Sequence, residues 1–262
     1  MRALHTAATG MIAQELNVQV ISNNIANMRT TGYKRQRAEF QDLLYEQVRR
    51  VGSQTSAQGT LLPAGIEIGS GVKTVSTPRV MTQGSILPTG KEFDVAIRGE
   101  GFLRITLPDG RTSYTRDGSF MLDAQGRIVN SQGYVVQPGI TVPQNASSVT
   151  INAHGQVSAM LPGNAVPVQL GQLEMSIFVN KAGLQAIGDN LFLETPASGP
   201  PQNGTPNTDG FGNLMQGNLE QANVEAVTEI SDLIAAQRAY EMNAKVINAA
   251  DQMLTSTSNM MR

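Results

Sequence analysis

Residues 4–28 read LHTAATGMIAQELNVQVISNNIANM, and residues 226–254 read AVTEISDLIAAQRAYEMNAKVINAADQML. The first contains a single glycine, Gly10, and the second contains neither glycine nor proline. In the first stretch Leu4, Met11, Val18 and Ile25 recur at every seventh position, and Ala7, Gln14, Ile21 and Met28 form a companion series. Steps of alternately three and four residues place both series on one face of a helix, the a/d pattern of a coiled coil. Ile12, Leu16 and Val20 widen the stripe, then Asn23, Asn24 and Asn27 accumulate and Gly32 supplies a stop. In the second stretch Ala226, Ile230, Leu233, Gln237, Tyr240, Ala244, Ile247, Asp251 and Leu254 repeat the stepping, and Val227, Ile234 and Val246 form a second apolar line.

Asn223 is positioned to cap this second helix, with Glu225 near its positive end. A helix of about 37 residues would be roughly 55 Å long. The fold class expected is α+β, with the N- and C-terminal helices paired as a coiled coil. Each carries more apolar surface than one partner covers, and neither is stable alone in water, so ordering is coupled to assembly. Gln14 and Gln237 interrupt the two seams, and a pair between them would fix the register.

The breakers between these ends define the rest of the chain. All 12 prolines lie in residues 63–206, and 24 of the 26 glycines in residues 52–217. That distribution argues against a doubly wound α/β enzyme or a TIM barrel, in which helices and strands alternate throughout. Short apolar runs at residues 93–97, 102–107, 111–115, 119–122, 127–130 and 134–136 are separated by Asp-Gly and similar turn signals. Further runs fall at 149–152, 157–160, 173–179 and 191–194. This spacing predicts an antiparallel β domain, with residues 197–212 as a surface loop. Between Gly32 and that domain, Phe40, Leu43, Leu44 and Val48 suggest a short helix, followed by a long irregular connection. The domains expected are therefore residues 1–32 with 223–262 as a helical unit, 33–71 as a linking segment, and 72–222 as a β-rich unit.

Composition narrows the function. Lys and Arg number 19 against 21 Asp and Glu, with no basic stripe, so nucleic acid is not an expected partner. Asn and Gln total 39, which tilts the polar surface toward contact with protein. The absence of cysteine excludes disulfides and thiolate chemistry. The two histidines, His5 and His154, gather no second ligand type. Gly69-x-Gly71 and Gly99-x-Gly101 lack the helix-opening glycine pattern of a phosphate cradle and read as bulges or tight turns. Asp109, Asp117 and Asp123 read as turn residues. No catalytic residue, cofactor or metal is expected. The N-terminus has no uninterrupted apolar run for a cleavable signal peptide, and no window spans a membrane.

Three segments carry a family resemblance in the right order. SNNIAN at 22–27 with TTGYK at 30–34 resembles the N-terminal signature of bacterial flagellar rod and hook proteins, on Asn23, Asn24, Ala26, Asn27, Thr31, Gly32 and Tyr33. ANVEA at 222–226, IAAQRAYE at 234–241 and Leu254 resemble their C-terminal signature. FDVAIRGEGF at 93–102 through YTRDGSF at 114–120 resembles their β domain. The length resembles that of rod subunits, since hook subunits are longer. Residues 45–71 are similar to the segment that sets the distal rod apart from the bendable hook. A proximal rod subunit shares both terminal signatures.

The resemblance implies a non-enzymatic subunit that assembles with its own copies into a rigid hollow helical drive shaft. Its terminal helices would form the inner tube and its β domain would face the bushing rings. Implied helical packing residues are Leu4, Met11, Val18, Ile21, Ile25, Ile230, Leu233, Ile234, Tyr240, Ile247 and Leu254. Tyr45, Gln54, Leu61, Leu62, Pro63 and Gly65 would bridge copies along the axis. Implied neighbours are proximal rod subunits below, hook or hook-junction subunits above, the rings and the flagellar export apparatus. The implied location is the basal body, across the periplasm, reached by type III export without a cleaved signal. The rival from another class is an extracytoplasmic adhesin or enzyme carried on a helical stalk.

Overall fold

A computed structural model describes residues 2–50, 64–163 and 166–260. The chain forms two compact units. One comprises Met1–Ile25, Gln36–Pro78 and Glu225–Arg262, and the other comprises Ala26–Arg35 and Arg79–Val224. These boundaries differ from those read off the sequence: residues 36–71 group with the terminal helices, and so do the residues up to Pro78.

The first unit contains α1 (Arg2–Ala26) and α2 (Ala226–Met260). Alternating apolar steps without internal proline allow both to run unbroken. Asn223 does not cap α2. Its side-chain oxygen accepts from the Arg35 N–H and its amide donates to the carbonyls of Val80 and Thr82. The first helical hydrogen bond instead runs from the Glu229 N–H to the Glu225 carbonyl, so Glu225 holds the cap position.

The remainder of this unit is a long antiparallel ribbon. Glu39–Asp42 pairs with Val72–Ser76, and Tyr45–Arg49 pairs with Ile66–Gly69. Bonds from Leu43 N to Gly71 O and from Ser70 N to Leu44 O join the two stretches. The short helix expected from Phe40, Leu43, Leu44 and Val48 is therefore a pair of strands. Phe40, Leu44 and Val48 are four apart, which fits one helix face, but they are also all even-numbered and fit one strand face. Long-range pairing with the β-branched Ile66, Ile68, Val72 and Thr74 decides between the two. The ribbon is fixed to α1 where the Val72 N–H donates to Thr9 Oγ1 at 3.3 Å. At Gly71 a Cβ would lie 2.2 Å from that hydroxyl, and φ is 114°, so only glycine fits.

The second unit is β-rich, and every strand pairing among its described residues is antiparallel. Its main sheet runs in spatial order Gln185–Gly188, Leu191–Leu193, Thr112–Thr115, Phe102–Thr106, Val135–Val136, Ile128–Val129 and Met121–Leu122. Met175–Ile177 bridges Phe102–Thr106 to Gln202–Gly204. A smaller sheet contains Ser148–Ile151, Gln156–Met160 and Val168–Gln172. Val95–Arg98 pairs with Asn213–Gln216, and Ile86–Pro88 pairs with Asn218–Glu220.

The ten runs marked in the sequence each contain a strand. Val168–Gln172, Gln202–Gly204, Asn213–Gln216 and Asn218–Glu220 lie in Gln- and Asn-rich stretches that carry little local β signal. Val95, Ile97, Leu103, Ile105, Phe120, Val157, Leu173, Met175 and Leu214 are among the buried side chains of the main core. A satellite cluster packs Phe102, Tyr114, Phe178 and Phe192, with Tyr114 and Phe178 edge to face at 4.8 Å. The Asp-Gly signals are turns closed by carboxylates: Asp109 accepts the Arg111 N–H at 3.0 Å, and Asp123 accepts the N–H groups of Gln125 and Arg127.

Candidate functional site

The helical faces decide what this chain can join. On α2 the side turned inward is Glu229, Ala236 and Ala250, all buried, with Leu233, Asn243 and Ile247 half-buried between them. Glu229, Ala236, Asn243 and Ala250 recur at every seventh position. They replace Ile230, Gln237, Ala244 and Asp251 as one half of the seam. Ile230 and Gln237 are exposed; of the other half, Leu233 and Ile247 are half-buried, whereas Tyr240 and Leu254 are exposed.

On α1, Gly10 sits against Asn243, where a Cβ would come within 2.9 Å of the side-chain amide. Asn24 Nδ2 donates to Glu229 Oε2 at 3.1 Å. The two contacts are equally spaced on both helices and run in opposite directions, so the helices are antiparallel there. Small side chains let the backbones approach closely, and the large apolar ones are displaced to other faces.

The displaced residues are the candidate assembly surface. Ile234 is 46% exposed, Tyr240 44% and Leu254 45%. Ile230, Val227, Val246, Met242 and Met253 are exposed beside them. Of the α1 residues expected to pack, Ile21 is buried, while Leu4, Met11, Val18 and Ile25 are half-buried. Gln14 and Gln237 do not pair: Gln14 accepts from Asn17 Nδ2 at 3.5 Å, and Gln237 lines an open groove with Glu15, Val18, Gln19, Tyr240 and Glu241. Asn24 and Glu229 form a polar link between the helices instead. Asn24 also accepts from the Gln36 N–H and donates to the Gln36 carbonyl, each at 2.9 Å, which ties the ribbon's first residues to α1.

Other residues of the N-terminal signature shape a turn in the second unit. Gly32 has φ 68°, and its N–H donates to the Glu220 carbonyl at 2.8 Å. A Cβ there would lie 2.7 Å from Asp117 N and 2.9 Å from Arg116 C. The Thr31 carbonyl accepts from Asn190 Nδ2 at 2.9 Å, Tyr33 is buried, and the Asn27 carbonyl accepts the Thr30 N–H at 3.0 Å. Asn23 and Ala26 lie at the exposed end of α1.

Beside this turn lies a charge cluster that the sequence reading missed. Lys34 Nζ lies 2.6 Å from Glu220 Oε1, with both side chains fully buried, and donates to the Thr82 carbonyl at 2.7 Å. The Gly84 N–H donates to the same carboxylate oxygen. Arg116 Nε lies 3.1 Å from Glu220 Oε2 as an ion pair without hydrogen-bond alignment. Burial pushes the Lys34 ammonium below its usual range, and the Glu220 charge opposes that shift. Lys34 stands in the quoted TTGYK motif, but its partners are distant in sequence.

Among the residues expected to make axial contacts, Tyr45 is exposed at the start of its strand and Gly65 precedes Ile66–Gly69. Gln54, Leu61, Leu62 and Pro63 lie outside the described residues. Among the described residues no group of His, Asp and Glu side chains has metal-ligand geometry, and no helix is long and apolar enough to cross a membrane.

Paired terminal helices that leave apolar side chains exposed, with an antiparallel β unit between them in sequence, define an α+β chain with surface open to a protein partner. Residues 4–34 match the model for the flagella basal body rod protein. Residues 96–159 match the FlgE/F/G hook-protein D1 domain, and residues 215–260 match the FlgEFG basal body rod C-terminal region. The chain is 55% identical over 260 residues to the flagellar basal-body rod protein FlgG of Caulobacter vibrioides, covering 99% of each. It is 50% identical to that of Agrobacterium fabrum and 47% identical to that of Borreliella burgdorferi, over at least 98% of each chain. The chain belongs to the flagellar basal-body rod protein FlgG family. It is a structural subunit of the flagellar distal rod, located in the basal body, and not an enzyme.

Proposed function

We propose that copies of this chain polymerise into a rigid, hollow helical shaft that carries motor torque to the hook and lets export substrates pass. The observation that carries this reading is the row of exposed apolar side chains on α2, including Ile230, Ile234, Tyr240 and Leu254, left uncovered by α1. Exposed apolar side chains in this number along one helix are costly in water, and the cost is relieved when neighbouring copies cover them. The helices would continue their pairing as a coiled coil within the tube wall. Proximal rod subunits lie below, hook or hook-junction subunits above, and bushing rings around the shaft as it crosses the periplasm. The chain reaches this site through the flagellar export apparatus.

The ribbon supports an axial role for residues 45–71. A two-stranded ribbon with every residue of Tyr45–Arg49 exposed is marginal by itself, and a neighbouring copy would give it a third layer. Electron microscopy of the purified chain tests the reading: hollow tubular filaments are expected, and discrete particles at every concentration would remove it.

A further inference from the structure

A pocket of about 180 Å³ in the β-rich unit is lined by Tyr33, Arg79, Ala186, Asn190, Leu191 and Phe192, among others. Lys34 and the hairpin turn at Asp189 and Asn190, where φ is 51° and 57°, also line it, so the walls carry the cations Lys34 and Arg79 and the single carboxylate of Asp189. The Arg79 guanidinium lies 5.6 Å from the Phe192 ring centroid. Arg79 is half-buried, yet among the described residues no carboxylate pairs with it and no hydrogen bond reaches its side chain. Lys73, Lys91, Arg98, Arg238 and Lys245 also lack a carboxylate, but they are exposed to water. Burial pulls the Arg79 pKa down from its ordinary value, with only the Tyr33 phenol opposing it. A guanidinium that is partly stripped of water, held over an aromatic face and left with its planar fork unused is built to grip a planar anion.

We propose that this pocket receives a carboxylate side chain from a second copy of the chain, held bidentately by Arg79 with Phe192 behind it. The inference rests on the polymer reading above. A head-to-tail helical assembly joins two different patches of the same molecule, so each copy must carry both a socket and its plug. Every copy brings acidic side chains in excess, 21 against 19 basic residues. Exposed examples such as Asp209, Asp232, Glu241 and Asp251 make no ion pair among the described residues.

The test is the critical concentration for polymerisation of the full-length chain, measured by sedimentation with electron microscopy of the pellet. Arg79→Gln should raise it about tenfold or more, and Arg79→Lys, which keeps the charge without the fork, should fall between. Arg79→Glu should abolish polymerisation while circular dichroism shows the monomer still folded. Arg79→Gln polymerising at the wild-type concentration overturns the inference and leaves the rod reading intact. Sodium acetate titrated into the monomer distinguishes the source of the carboxylate: acetate that shifts the Arg79 resonance and inhibits polymerisation supports a copy's side chain. Acetate that binds without affecting polymerisation assigns the pocket to a free carboxylate and overturns the proposal. A wild-type chain that never polymerises removes both readings together.

Discussion

Lys34 and Glu220 lie 186 residues apart in sequence, and their charged atoms stand 2.6 Å apart with both side chains fully buried. Arg116 joins the same carboxylate on its other oxygen. Removing the one anion from this cluster strands two buried cations. Glu220→Gln is therefore expected to cost about 3–5 kcal/mol in urea or thermal unfolding. The double replacement Lys34→Met with Glu220→Leu should cost less than Glu220→Gln alone, because no uncompensated Lys34 charge remains. Equal losses in the two proteins would mean that shape, not charge, sets the penalty.

Gly32 and Gly110 separate conformational strain from collision. Both have positive φ, but a Cβ at Gly110 meets nothing within 4 Å, while one at Gly32 strikes the backbone of Arg116 and Asp117. Gly110→Ala should cost about 1 kcal/mol. Gly32→Ala should cost clearly more, because the colliding atoms are backbone and cannot rotate away. Melting temperatures of the two variants check the order.

Asn24 joins α1 to both Gln36 and Glu229. Asn24→Ala should destabilise the helical unit by about 2–3 kcal/mol, since it removes these three hydrogen bonds, one of them to the buried Glu229 carboxylate. Hydrogen exchange should quicken at the start of α2. Unchanged protection there would show that the helices do not depend on this link.

Tyr114 carries a pH signature. Burial, then the Glu194 charge with its hydroxyl contact, raises its phenol from 10.0 to about 12. The folded state therefore favours the protonated phenol. That contribution is fully present below pH 10 and is lost as pH rises from 10 through about 12. Tyr114→Phe should flatten this part of the alkaline stability curve. A curve superimposable on wild type between those limits would assign the loss to other groups.

Ile234→Asp separates assembly from folding. The side chain is 46% exposed in the single chain, so monomer stability should change by no more than about 0.5 kcal/mol. In the polymer the same carboxylate would be buried against a neighbour without a partner, and polymerisation should stop. Normal rods built from this variant would show that this face stays in water.

Much of the architecture was legible from local pattern. Steps of three and four without breakers determined α1 and α2, and Asp-Gly punctuation determined the turns of the β unit, because both signals act within a few residues. Local pattern could not decide questions that depend on distant partners. Phe40, Leu44 and Val48 fit a helix and a strand equally, and pairing with residues 66–76 made them strands. Leu233 and Ile247 were legible as seam residues, but the other half of the seam passed from Ile230 to Glu229 and from Ala244 to Asn243. Close approach at Gly10 and the Asn24–Glu229 hydrogen bond selected those positions. Asn223 had every property of a cap, yet the tertiary structure uses it to bind Arg35, Val80 and Thr82. By itself the sequence determined two long helices, a β-rich middle and the family. Only the tertiary structure decided which apolar residues are covered, which remain for neighbouring copies, and that Lys34, Arg116 and Glu220 meet, because burial is a property of the whole packed chain.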